Sequence, residues 1–61
     1  MTIREYAKAV HFEIVGKLTR FPEGEDYGID RKQRAYIDEA GNEYYIDKHS
    51  ACIVTIDGRV I

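Results

Sequence analysis

The apolar residues of this chain change their spacing once, between Val10 and Phe12, and that change points to a fold that mixes helix and strand. Before it, Ile3, Tyr6, Ala7 and Val10 recur at i, i+3, i+4 and i+7, with Arg4, Glu5 and Lys8 between them. That spacing puts one apolar stripe on a helix of about nine residues. Thr2 followed three residues later by Glu5 has the form of a capping box, in which hydroxyl and carboxylate each accept an otherwise unpaired amide. A helix this short is marginal by itself and has to be held by packing. After the change, Phe12, Ile14, Gly16 and Leu18 alternate with Glu13, Val15, Lys17 and Thr19, the period of a half-buried strand. The alternative is a helix-turn-helix over Thr2 to Arg20, with Ala7, Val10, Ile14 and Leu18 joining two short helices. Gly16 and the β-branched Ile14, Val15 and Thr19 weigh against its second helix.

The strand is expected to end near Phe21-Pro22. Pro22, Gly24 and Gly28, with Glu23, Glu25, Asp26 and Asp30, then make an acidic connection, the longest loop and the segment expected to be most mobile. Arg34 to Glu39 and Glu43 to Asp47 alternate around Ala40-Gly41-Asn42, the pattern of a hairpin with a short Gly-containing turn. Ser50 to Ile56 is rich in β-branched residues, with Ile53 on one face and Cys52, Val54 and Ile56 on the other, which suits a strand covered on both sides. Asp57-Gly58 turns the chain, and Val60-Ile61 adds a stub of strand. The expectation is a single α+β domain over 1–61, an N-terminal helix packed on an antiparallel β-meander sheet of three or four strands.

A chain of 61 residues has room for one thin core. Nine Lys and Arg against eleven Asp and Glu leave a net charge of −2, unlike the basic face of a general nucleic-acid binder. The one cysteine, Cys52, has no internal disulfide partner. The N-terminus lacks the basic and apolar regions of a signal peptide, and no apolar run approaches the roughly 20 residues that span a bilayer. A soluble protein of the reducing cytoplasm, with no membrane contact, is the expectation.

Asp47, His49 and Cys52, with His11, are the only start of a metal site, and they fall short of the four closely spaced ligands of structural zinc. The simpler reading makes Cys52 a small core residue and the histidines exposed element ends. A catalytic Cys-His pair would need an open electropositive pocket and an orienting third group. Asp38, Glu39, Asn42 and Glu43 surround Gly41 but lack the spacing of a calcium loop, and are expected to face solvent around the turn. The acidic loop from Glu23 to Asp30 is read in the same way, with contact to a basic partner as its functional alternative. Arg31, Lys32 and Arg34 form the basic cluster, which Lys17 and Arg20 would extend from a neighbouring strand, and Tyr36 and Tyr45 alternate onto a sheet face beside it. Cations interleaved with aromatics on a sheet are a way to stack bases and track phosphates, although tyrosines also serve strands by packing.

Tyr36-Ile37-Asp38-Glu39-Ala40-Gly41-Asn42-Glu43-Tyr44, followed by Cys52 to Ile61, resembles the C-terminal half of small uncharacterised proteins of Gram-positive bacteria and their mobile elements. That resemblance implies a bacterial accessory protein and assigns no functional residue. The reading is therefore a non-catalytic protein-interaction module with no cofactor, no metal and no evident small-molecule substrate. It would bind a protein partner or itself through a sheet edge or an uncovered face, with apolar surface from Val15, Tyr45 or Ile53. The alternative is a nucleic-acid accessory protein using Arg31, Lys32, Arg34, Tyr36 and Tyr45.

Overall fold

In the computed structural model, which describes residues 2–21, 28–29 and 32–61, the capping box closes as its residues predict. The Glu5 amide donates to Thr2 Oγ1 at 3.1 Å, and the Thr2 amide donates to Glu5 Oε1 at 2.9 Å. Helix α1 runs from Ile3 to Ala9, seven residues, shorter than the apolar stripe suggests. It stops because His11 takes a left-handed conformation, φ 58°, and the chain folds back. Phe12 N donates to the Ala7 carbonyl at 2.8 Å and His11 N to that of Lys8 at 3.2 Å, a Schellman closure that turns Phe12 toward the core.

The sheet is antiparallel throughout. Strands β1 (Thr19–Arg20) and β2 (Gly28–Ile29) both pair with β3 (Lys32–Ile37), β1 at its C-terminal end and β2 at its N-terminal end. They therefore share one edge position, followed by β3, β4 (Glu43–Ile46) and β5 (Ala51–Val54). This is a meander of four strand positions with one helix on it, the α+β arrangement expected. A bridge between Val54 and Val60 adds the stub beyond β5, and Ile53 and Ile61 exchange two backbone bonds there, at 3.1 and 2.8 Å.

The helix lies over β4 and β5. Ile3 and Ala7 meet Tyr44, Ala51 and Ile53 in the buried core, and Tyr6, Val10, Phe12, Ile14, Leu18, Tyr36, Ile46 and Ile61 pack around them. Tyr44 and Ile53 have no exposed surface. The Phe12 ring stands edge-on to Tyr44 at 6.2 Å, and the Tyr6 hydroxyl donates to the Ile61 carbonyl at 2.8 Å, tying helix to final strand. Burying a residue such as Ile53 contributes about 1.5–3 kcal/mol, which is how so short a helix persists.

The expected strand over 12–19 is not formed: only Thr19–Arg20 enters the ladder. Residues 12–18 are neither strand nor helix, which also removes the second helix of the helix-turn-helix alternative. They run as a strap whose alternation is real, with Phe12, Ile14 and Leu18 half-buried and Glu13, Val15 and Lys17 exposed. Gly16 breaks the extended path with φ 68°, and the strap's amides go to side-chain carboxylates instead of a neighbouring strand. Likewise β5 stops at Val54, because Thr55 to Arg59 fold into a turn, and Ile56 leaves the face of Cys52 and Val54 for solvent. Most of the acidic connection, including Glu23, Glu25, Asp26 and Asp30, lies outside the described residues.

Candidate functional site

The residues expected to form one basic, tyrosine-bearing face are divided by a bulge. Arg34 pairs with Tyr45 and Tyr36 with Tyr44, so Ala35 is an extra residue in β3. Without it Arg34 and Tyr36 would share a face, as strand alternation implies; with it they point to opposite sides of the sheet. Arg34 and Tyr45 lie on the face away from the helix, together with Lys32, whereas Tyr36 joins Tyr44 and Ile53 on the helix side. Arg31 lies outside the described residues.

On the face away from the helix, Arg34 is held from two directions. Its guanidinium carbon is 3.9 Å from the Phe21 ring centroid, and Nη1 donates to Glu43 Oε2 at 3.1 Å. The other Glu43 oxygen accepts from the Tyr45 hydroxyl at 3.0 Å. Burial, and then the Glu43 acceptor, push the Tyr45 phenol above its ordinary pKa. Tyr45 is only 6% exposed, and Cys52 beside it in the register is buried as the strand pattern predicts. The cluster is thus a neutralised, packed group on the second face of the sheet. His11 and His49 are exposed at element ends, and among the described residues no three His, Cys, Asp or Glu side chains gather as metal ligands would.

The polar centre of the molecule lies instead at the β3–β4 turn. Asp38, expected to face solvent, is 5% exposed and accepts five hydrogen bonds. Oδ1 takes the amides of Ala40 and Asn42, both at 3.0 Å. Oδ2 takes the Tyr44 hydroxyl at 2.8 Å, Asn42 Nδ2 at 2.9 Å and the strap amide of Val15 at 3.2 Å. Burial alone would raise the Asp38 pKa, but the bonds from Asn42, Tyr44 and Val15 outweigh it and hold the carboxyl below its usual range. Tyr44 moves the opposite way, well above its ordinary value, through burial and then its bond to Asp38. Asn42, also buried, accepts the Ile56 amide at 3.3 Å. Glu39 completes the stitching: Oε2 accepts the Lys17 amide at 2.6 Å, and its own amide donates to the Val15 carbonyl at 3.0 Å.

Three connecting segments, the strap, the β3–β4 turn and the β5 turn, are thereby fastened at one end of the sheet. Among the described residues, the large exposed apolar side chains are found there: Val15 at 46%, Ile56 at 71% and Val60 at 63%. Val15 and Ile56 are each bonded to the Asp38–Asn42 pair, and Val60 bridges Val54, whose partner Glu43 opens β4 beside the turn. Of the three residues expected to leave apolar surface, only Val15 does so; Ile53 is sealed under the helix and Tyr45 within the second face. The exposure of Ile56 and Val60 was not readable from strand alternation, because it follows from where β5 stops. Searches with this chain found no matching family model, no matching curated protein and no matching solved structure.

Proposed function

We propose that this domain is a small, non-catalytic interaction module that binds a protein partner, or a second copy of itself, through the end of the sheet carrying Val15, Ile56 and Val60. The observation that carries this reading is the exposure of Val15 and Ile56 on backbone fastened by Asp38 and Asn42, with Val60 exposed on the stub that bridges Val54 at the same end of the sheet. Single exposed apolar residues are ordinary, but a group of them on a rigid base is the usual form of a contact surface. A non-catalytic role is supported by how the displaced titrating groups of the buried turn are used. Asp38 and Tyr44 satisfy one another and the backbone, so their chemistry serves the fold. An accessory role in a reducing cytoplasm agrees with the buried lone cysteine and with the resemblance of the C-terminal half.

Sedimentation equilibrium from micromolar to near-millimolar protein, together with pull-down from native extract, tests the reading. Wild type is expected to self-associate or retain a protein that Ile56→Lys and Val60→Lys release, both variants remaining folded because these side chains are exposed. Retention by the lysine variants would move the surface elsewhere. Binding to mixed nucleic acid that falls steeply with salt would favour the basic-face alternative.

A further inference from the structure

Residues 13–17 are the part of the strap that lies between two anchors. On one side Phe12 is fixed by its amide, bonded to the Ala7 carbonyl at 2.8 Å, and by its ring against Tyr44. On the other, half-buried Leu18 leads into Thr19, which pairs with Ile37. We propose that residues 13–17 form a latch that opens as a unit while α1 and the sheet stay folded, with the Glu39 carboxylate as its catch. Opening carries Val15 away from the end that also bears Ile56 and Val60, and so regulates that surface. This consequence rests on the function proposed above, whereas the opening itself does not.

Little holds the segment down. Of its five residues only Ile14 is half-buried, and the others are exposed. Among the described residues, three hydrogen bonds join it to the body: Val15 N to Asp38 Oδ2 at 3.2 Å, Lys17 N to Glu39 Oε2 at 2.6 Å, and Glu39 N to the Val15 carbonyl at 3.0 Å. All three run to two consecutive residues of the β3–β4 turn, so they form and break together. Fixing five residues of backbone costs conformational entropy that three bonds and one half-buried side chain barely offset. The other four bonds to Asp38 and the packing of α1 on β4 and β5 do not involve the segment, so they survive when it lifts. Local openings that cost less than global unfolding arise in segments with so few buried contacts. Gly16 is the seat of the catch. Its φ is 68°, and a Cβ placed there would collide with the Glu39 carboxylate that accepts the Lys17 amide. A side chain at position 16 therefore opposes the closed state alone, because clash and left-handed strain both vanish once the segment opens.

Amide hydrogen exchange followed by NMR reads this opening. Val15 and Lys17 should be at least about tenfold less protected than the most protected amides of β4, and sub-denaturing urea should accelerate exchange in β4 but not at these two positions. Thr2→Ala removes a helix cap that the open and closed states both keep. It should lower β4 protection about two- to thirtyfold and leave Val15 and Lys17 unchanged. Gly16→Ala should stay folded, with β4 still protected and Val15 and Lys17 no longer so, because the chain sheds the strain by opening the segment. Val15 and Lys17 exchanging with the protection and urea response of β4, equal losses at both places in Thr2→Ala, or a Gly16→Ala chain that unfolds would each overturn the proposal.

Discussion

Of the carboxylates that accept backbone amides in this domain, Glu5 and Asp38 do so in opposite settings. Glu5 closes a capping box on the surface, three residues from its partner, in a group that solvent surrounds. Asp38 is buried and collects donors from its own turn, from Tyr44 six residues on and from Val15 on the strap twenty-three residues away. The first arrangement organises one end of one helix. The second holds three chain segments in register, in surroundings where an unmet donor is costly. The difference teaches that local signals decide which elements form here, while a non-local polar centre decides how they are joined.

The largest way to break that contrast is Asp38→Ala. It strands the Tyr44 hydroxyl, Asn42 Nδ2 and the amides of Val15 and Asn42 in a buried site, and the expected cost is about 3–5 kcal/mol. A domain of this size holds a stability of similar magnitude, so the variant should be largely unfolded by circular dichroism at ambient temperature. Protonation should act in the same direction. The Asp38 pKa is lowered on folding, so its contribution is complete above the unfolded carboxyl value near pH 4 and is lost as pH falls below it through the folded value. Urea melts from pH 6 to pH 2 should show stability falling on the acid side, in a chain that is still cooperative at neutral pH. A flat acid limb would mean that the Asp38 bonds are not made. Next in size is Tyr44→Phe, which removes one charge-assisted donor and leaves the other four, for an expected loss of about 1.5–3 kcal/mol in the same melts.

What the residues disclosed in advance follows the same division. The capping box, the helix stripe and the Arg34–Asp47 hairpin were legible because each depends on neighbours within a few positions. The 12–18 segment was misread as strand because its alternation is shared by any extended chain lying on a core; what it lacks is a ladder partner, since Asp38 and Glu39 accept its amides. The bulge at Ala35 carries no Gly or Pro to mark it, yet it reverses the faces of Arg34 and Tyr36 and so divides the expected basic site. Asp38 looked like an ordinary turn acid because its burial depends on Val15, Asn42 and Tyr44 arriving together.

The local side of the comparison predicts small effects that add. Thr2→Ala deletes the cap oxygen and should cost about 0.5–2 kcal/mol, seen as a lower denaturant midpoint with an unchanged slope. At the other end of the same helix, His11 occupies the left-handed position of the Schellman closure, where a side chain is strained and glycine is not. His11→Gly relieves that strain but frees the unfolded chain, so the net gain should be about 0.5–1 kcal/mol, a rise of a few degrees in Tm. The imidazole is exposed, so little packing is lost. Two caps on separate ends with no shared partner should combine additively, whereas Asp38→Asn and Tyr44→Phe, which share a hydrogen bond, should not. Measuring both double-mutant cycles by urea denaturation therefore tests the contrast itself. A coupling in the cap cycle as large as in the Asp38 cycle would show that the helix ends belong to the same cooperative network as the turn, and that the division between local and non-local control is drawn in the wrong place.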